Sequence, residues 1–151
     1  MDPDSAERLR RVISKLARYL NADATAEGLT PTQASVLGVV VACGPVGVAD
    51  IVAVEGLNPT MLSRVLGKLE DMGVVVRTAA RADLRAVSVA PTAQGRELHE
   101  RLKRERADSV ARLVAQLEPP LSRQLEECLP ALERLAAATG ATVEAQPGRP
   151  R

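Results

Sequence analysis

Asn58-Pro-Thr-Met-Leu-Ser-Arg-Val-Leu-Gly-Lys-Leu-Glu-Asp-Met-Gly73 is the stretch that decides the fold of this chain. Asn58 can accept a hydrogen bond from a free helical N–H, and Pro59 suits the first helical position. Gly73 allows the left-handed backbone that often ends a helix. Apolar side chains recur between these signals at helical spacing, at Leu62, Val65, Leu66, Leu69 and Met72. The stretch is therefore predicted to be an amphipathic helix with one buried stripe.

The opposite face of this helix carries short hydroxyls followed by long cations. Its members are Thr60, Ser63, Arg64 and Lys68. Such a face suits a helix whose N-terminal half enters a DNA major groove. On an isolated helix the same face would more often be simply solvated, so the choice between these two interpretations depends on the neighbouring sequence.

Two further helices are predicted on the N-terminal side of the Asn58–Gly73 helix. Thr30 and Gln33 fit a capping box around a proline at the first helical position, and the apolar segment Ala34–Cys43 predicts a helix buried nearly all round. Residues 47–56 are predicted to form a short third helix, followed by a tight connection that contains glycine. Two short helices joined in this way are typical of a helix-turn-helix.

An antiparallel hairpin is predicted directly after Gly73. Residues 74–78 are rich in valine, and residues 85–89 alternate polar and apolar side chains. No Asn-Gly or Asp-Gly pair marks the tip, so residues 79–84 are expected to form a longer, mobile loop rather than a tight turn. A hairpin in this position is the wing of a winged helix-turn-helix.

Helices are also predicted at both ends of the chain. The first covers residues 5–26, with one apolar stripe formed by Leu9, Val12, Ile13, Leu16 and Leu20. A long helix starts near Thr92, is charged all round at residues 103–108 and is expected to end at Pro119-Pro120. The last helix, residues 121–139, has a leucine-rich stripe that Pro130 should kink or split. Residues 140–151 are rich in proline and glycine and are expected to be disordered.

The composition limits the classes of partner. The chain has 151 residues and a formal net charge of +1, so any basic footprint must be local. Tyr19 is the only aromatic residue, which excludes stacking platforms for single-stranded nucleic acid. Two cysteines far apart fit a reducing compartment, and neither a signal peptide nor an apolar run of membrane-spanning length is readable. The chain is expected to be cytoplasmic, with no membrane partner.

The order of these predicted elements resembles that of the MarR family (multiple antibiotic resistance regulators). The resemblance is carried by Leu57–Leu66, by Leu69–Val75, by Asp83-Leu84-Arg85 and by the spacing from there to Thr92 and Gly95. It implies a mainly α fold with a winged helix-turn-helix core of three helices and a β-hairpin wing. The DNA-binding domain would cover residues 30–92, and residues 5–26 and 93–139 would form the dimerisation helices.

The resemblance also implies a function and a set of DNA-binding residues. It implies a homodimeric, sequence-specific transcriptional regulator, a repressor that binds a pseudo-palindromic operator and that a small molecule or an oxidant releases. The residues assigned to DNA binding by position are Thr60, Met61, Ser63, Arg64, Lys68, Arg81, Asp83 and Arg85. Arg85 would enter the minor groove and Asp83 would orient it, in keeping with the attraction of a narrow A·T groove for a guanidinium.

The local charge indicates modest DNA affinity. Five cationic and three acidic side chains lie between residues 58 and 86, which gives a local net charge of +2. Leu84 also stands where related chains often carry a wing arginine. Fewer phosphate contacts should mean weaker binding, or a weaker salt dependence, than in a more basic relative. The alternative of a winged helix that contacts another protein therefore stays open.

The cysteines and the single histidine give no clear sign of redox or metal chemistry. Cys43 has no cation nearby in sequence to activate its thiol, and Cys128 lies on the apolar stripe of the last helix, so both are expected to pack. A thiol-based oxidant sensor, including a disulfide between subunits through Cys128, is the minority alternative. His99 lies among charged residues and is expected to be solvated, and no metal site is predicted.

No arrangement of catalytic residues is readable in the sequence. It contains no Ser/His/Asp set, phosphate loop or paired acids at a recognisable spacing, so neither an enzyme nor a cofactor is predicted. A small effector is expected in the crevice between the dimerisation helices and the winged domain. With Tyr19 as the only aromatic side chain, that crevice should be aliphatic and favour apolar or amphipathic molecules.

Overall fold

The computed structural model describes residues 1–80 and 83–138 of the chain, and this part is mainly helical. The elements in chain order are α1 (Pro3–Ala26), α2 (Pro31–Cys43), β1 (Val46–Gly47), α3 (Val48–Glu55), α4 (Pro59–Asp71), β2 (Val75–Ala80), β3 (Asp83–Pro91), α5 (Ala93–Val114) and α6 (Pro119–Ala137). The expected mainly α fold with a winged helix-turn-helix core is confirmed.

Helix α2 lies at the centre of the core. It contacts α1, α3, α4, α5 and β3, and its Val36, Leu37 and Val40 are fully buried. Ile51 of α3 and Leu66 of α4 belong to the same cluster of buried apolar residues. Each such side chain contributes roughly 1.5–3 kcal/mol by leaving water. The expectation that α2 is buried nearly all round is correct.

The predicted helix caps are confirmed. The Thr30 hydroxyl accepts from the Gln33 N–H at 3.2 Å, and the Thr30 N–H donates to Gln33 Oε1 at 2.7 Å, which completes the capping box. Asn58 Oδ1 accepts from the Met61 N–H at 2.8 Å and so caps α4. Gly73 follows α4 with a φ of +70°, in the left-handed region expected for it. Local hydrogen bonds and backbone conformation therefore determine both ends of α4, without help from tertiary contacts.

The wing belongs to a three-stranded antiparallel sheet, in the order β1-β3-β2. Strand β1 was not predicted, because two residues are too few to show an alternation of polar and apolar side chains. Its Val46 pairs with Val89 of β3. The expected six-residue loop at 79–84 is wrong. Strand β2 continues to Ala80, which pairs with Asp83 after an irregularity in register between Ala79 and Ala80. The ladder thus continues past this irregularity instead of ending at it.

The boundary between the last two helices differs from the prediction. Helix α5 ends at Val114, and Pro119 begins α6 instead of ending α5. Proline suits the first helical position, because the N–H it lacks would have no partner there. Pro130 does not split the helix, since α6 continues through it; the alternative of a kink stays a prediction. Pro130 and Glu126 are exposed, so water can reach the Glu126 carbonyl that loses its helical donor. The tail at 140–151 lies outside the described residues.

The charged middle of α5, residues 103–108, is partly buried on one side. Leu102 and Ser109 on either side of it are buried, and Glu105 and Arg106 are half-buried. Helix α5 packs against α1, and Glu105 and Ser109 line a crevice together with the end of α1. The segment therefore packs on one side, although its charges alone would allow it to be solvated all round.

The environments of His99 and Cys43 also correct the sequence interpretation. His99 is half-buried where α5 approaches α2, with its ring close to Gly38, and this burial lowers the pKa of the imidazole. Cys43 is exposed at the end of α2, so its predicted packing is wrong: the apolar period of α2 ends before it. Cys128 is exposed on α6, and its packing against a second chain stays a prediction.

The two outer helices expose apolar stripes. On α1, Val12, Ile13 and Leu16 are 54%, 48% and 45% exposed. Helix α6 has no buried residue, and its exposed leucines are Leu121, Leu125, Leu129, Leu132 and Leu135. Contiguous apolar surface of this kind is typical of an interaction surface.

Candidate DNA-binding surface

The outward face of α4 is the main feature of the candidate surface. Leu62, Leu66 and Leu69 are buried in the core, which fixes the rotation of the helix. The polar side chains on the other side, Thr60, Ser63, Arg64 and Lys68, are exposed, and Met61 is exposed beside them. The five residues predicted on α4 therefore lie together on one accessible face.

A groove runs between this face and the beginning of α2. It is lined by Thr30, Thr32, Gln33, Asn58, Thr60, Met61, Arg64, Val65 and Lys68. Sequence reasoning found the capping box at the start of α2 but did not place it in the candidate surface. Only the packing of α2 on α4 brings the two together. Pro31 has no N–H and the Gln33 N–H is capped by Thr30, so this side of the groove offers a phosphate the Thr32 hydroxyl and backbone N–H rather than the whole first turn.

Arg64 has the most central position on the surface. It lines the groove next to α2 and also a shallower depression at the start of α4, with Pro59, Thr60 and Ser63. No ion pair of Arg64 is found within residues 1–80 and 83–138, whereas Arg77 is paired with Glu70. A free guanidinium in this position can reach a base edge or a phosphate.

The wing residues are only partly described. Asp83 and Arg85 lie on β3, whereas Arg81 and the side chains of Asp83 and Arg85 are outside the described part of the structure. Their proposed pairing and entry into the minor groove stay predictions. On the neighbouring part of the ribbon, the hydroxyls of Thr78 and Ser88 lie 2.9 Å apart across β2 and β3.

Arg77 is one of the five cations counted between residues 58 and 86, but the structure gives it partners on α4. Its Nη2 donates to the carbonyl of Ser63 at 3.2 Å, and its Nε lies 3.1 Å from Glu70 Oε2. The sequence contained both charges but nothing that showed their pairing. Arg77 therefore contributes less to a cationic footprint than the sequence count assumed.

The end of α4 is joined directly to the start of α5. The Thr92 hydroxyl donates to the Gly73 carbonyl at 2.7 Å and accepts from the Gly95 N–H at 3.1 Å, so it caps α5 at the same time. The Thr92 N–H donates to the Val74 carbonyl at 3.1 Å. Gly95 packs so closely on Val74 that a Cβ would overlap this carbonyl. Any movement of α5 should therefore be transmitted to the end of α4.

The described residues contain neither a metal-binding cluster nor a membrane-spanning helix. No group of three or more His, Cys, Asp or Glu side chains at 1–80 and 83–138 is arranged to hold a metal ion. In the same ranges, no helix has the length and apolar character that crossing a membrane requires.

Comparisons with known proteins agree with this geometry. Residues 27–86 match the sequence model of the MarR family. The HTH-type transcriptional repressor Rv2887 of Mycobacterium tuberculosis is 32% identical over 81 residues, which are 54% of this chain and 58% of the relative. The match thus spans little more than half the length of this curated relative.

Two solved structures share the fold over most of their length. Rv2887 in complex with p-aminosalicylic acid superposes with a TM-score of 0.65 at 28% identity, over 85% of this chain and 97% of that chain. A mutant of MepR from Staphylococcus aureus, bound to an oligodeoxyribonucleotide, gives a TM-score of 0.67 at 18% identity, over 87% of this chain and 97% of that chain. At the latter identity the likeness concerns the fold alone.

Proposed function

Since the chain belongs to the MarR family, we propose that it is a homodimeric DNA-binding transcriptional repressor that acts in the cytoplasm. The observation that carries the proposal is the exposed polar face of α4, held at a fixed rotation by its buried leucines. MarR proteins are regulators rather than enzymes. MepR, which shares the fold, is bound to an oligodeoxyribonucleotide, so the proposal is compatible with this fold.

The proposed dimer uses the outer helices. Residues 5–26 and 93–139 would form the dimerisation lobe, and residues 30–92 would form the DNA-binding domain. The exposed stripes of α1 and α6 support this division, because each subunit could cover those of the other. Two α4 helices placed about 34 Å apart would enter successive major grooves of a pseudo-palindromic operator.

The proposed DNA contacts divide between α4 and the wing. Thr60, Met61 and Arg64, at the N-terminal half of α4, would read bases and thymine methyl groups, while Ser63 and Lys68 would hold the phosphate backbone. On the wing, Arg85 would enter the minor groove with Asp83 as its orienting acid. Arg81 would contact phosphate near the tip. Another phosphate of the operator would bind in the groove between α4 and the start of α2.

Substitution of Arg64 tests the proposed surface. Arg64→Ala is expected to weaken operator binding about 10- to 100-fold, since one bidentate base contact is worth about 1–3 kcal/mol. The measurement is fluorescence anisotropy with an operator found by binding-site selection. Arg104→Ala, an exposed arginine on α5, is the matched control and should bind like wild type. Unchanged affinity in Arg64→Ala contradicts the assignment. Failure of the wild-type protein to select any DNA would favour a protein-binding winged helix.

We further propose that a small amphipathic molecule releases the operator. The relative that binds p-aminosalicylic acid supports this proposal. The aliphatic crevice expected between the dimerisation helices and the winged domain stays a prediction; the described residues form a different crevice, between the end of α1 and α5. It is lined by Ala26, Glu27, Glu105, Asp108, Ser109 and Arg112, so polar groups can orient a ligand there.

Titration of aromatic and aliphatic carboxylates, p-aminosalicylate among them, into the operator complex tests the effector proposal. An effector is expected to weaken binding about 5- to 150-fold, the usual range of coupling between two sites. Arg112→Ala should reduce that effect, whereas Arg104→Ala should not. A broad panel in which no compound lowers DNA affinity would contradict the proposal.

A further inference from the structure

We propose that Arg77 is a positioning residue for DNA recognition, which braces the wing strand β2 against α4 and does not itself contact DNA. This inference rests on the proposed DNA-binding function. It differs from the sequence interpretation, in which Arg77 was one of the cations available to a nucleic acid.

The geometry of Arg77 carries the proposal. From β2, its Nη2 donates to the Ser63 carbonyl at 3.2 Å, and its Nε lies 3.1 Å from Glu70 Oε2. Its backbone N–H donates to Glu70 Oε1 at 3.3 Å. One arginine thus holds two points on α4 that are about two helical turns apart. A carbonyl oxygen has two lone pairs, so Ser63 can accept this bond as well as its helical one.

Burial and charge separate Arg77 from a typical phosphate contact. The side chains of Arg77 and Glu70 are only 33% and 35% exposed, and their charges offset each other. The Arg77 Nε is buried and makes no aligned hydrogen bond, although it lies next to the carboxylate. The planar guanidinium carries its donors on separate nitrogens in a rigid fork that can span Ser63 and Glu70, whereas lysine offers its three N–H donors from one nitrogen.

The position of the brace along β2 explains why it should matter. Val74 and Val75, at the start of the wing, are buried in the core, whereas Val76 is 43% exposed. Beyond Val75 the strand leaves the core. The side chain of Arg77 then connects the strand to α4 again. A winged helix needs α4 in one groove and the wing in the next at the same time. The angle between α4 and β2 therefore determines whether both contacts form together.

The experiment compares Arg77→Ala, Arg77→Lys, Glu70→Gln and the double variant Arg77→Ala/Glu70→Gln. Operator affinity is measured over a series of salt concentrations, and folding is checked by thermal unfolding. A brace predicts that each single variant binds about tenfold more weakly with an unchanged salt slope. It also predicts that the double variant is no weaker than the single variants, because one interaction is lost in all of them. Glu97→Gln, an exposed acid on α5, is the matched control.

The sign of the Glu70→Gln effect distinguishes a brace from a direct contact. If Arg77 contacts a phosphate, removal of the competing carboxylate should strengthen binding, and Arg77→Ala should lower the salt slope by about 0.9. Either result overturns the proposal, as does unchanged affinity in both variants. Should Arg77→Ala fail to fold, Arg77→Lys decides: it keeps the charge, and wild-type affinity in this variant would refute the brace. Absence of operator binding by the wild-type protein would instead refute the proposed function.

Discussion

Leu129→Glu is expected to convert the proposed dimer into a monomer and to weaken operator binding about 100-fold or more. Leu129 is 48% exposed, in a helix that has no buried residue, so the substitution should leave the fold of the single chain intact. In a dimer built on the α6 stripe it would place an unpaired carboxylate in apolar surroundings, which costs several kcal/mol. A twofold dimer would meet that cost twice.

The loss of DNA affinity follows from the loss of the second half-site. Two linked recognition units exceed the affinity of one by about 10²- to 10⁴-fold when both can bind at once. Sedimentation velocity gives the oligomeric state, and anisotropy gives the operator affinity. Ala137→Glu introduces the same carboxylate on the opposite, exposed face of α6 and should remain dimeric. A dimeric Leu129→Glu protein would show that the α6 stripe lies outside the interface.

Helices with strong local signals were predictable from the sequence alone. The start of α4 at Asn58-Pro59 and the capping box of α2 are decided within a few residues, so tertiary structure had little to change. Strand β1 was missed because its two residues pair with β3, more than 40 positions away. The start of α6 at Pro119 was read as the end of α5, since proline is compatible with both.

The candidate site was predictable where it lies on one helix. The polar face of α4 follows from helical periodicity, and the structure exposes the same side chains. The contribution of Thr32 and the pairing of Arg77 with Glu70 were not predictable, because each depends on how two elements pack. Sequence shows which charges exist; tertiary packing decides which of them remain free to bind a partner.

Gly95→Ala is expected to destabilise the protein by about 3 kcal/mol, a large part of the roughly 5–15 kcal/mol typical of a domain. A Cβ at Gly95 would overlap the Val74 carbonyl oxygen and lie 2.9 Å from the Val74 carbonyl carbon, both backbone atoms that cannot turn away. Helix α5 and the start of the wing would have to separate. That movement would weaken the bond from Thr92 Oγ1 to the Gly73 carbonyl, now 2.7 Å long.

Gly67→Ala is the matched control for this substitution. Gly67 lies inside α4 with open space where its Cβ would be, so alanine there should stabilise the protein by about 0.5–1 kcal/mol. Urea unfolding gives both changes in free energy. At temperatures where Gly95→Ala is still folded, its operator affinity should also fall, because Thr92 and Gly95 join the end of α4 to α5. A Gly95→Ala protein as stable as wild type would show that the joint can open without cost, and α5 could not then control the position of the recognition helix.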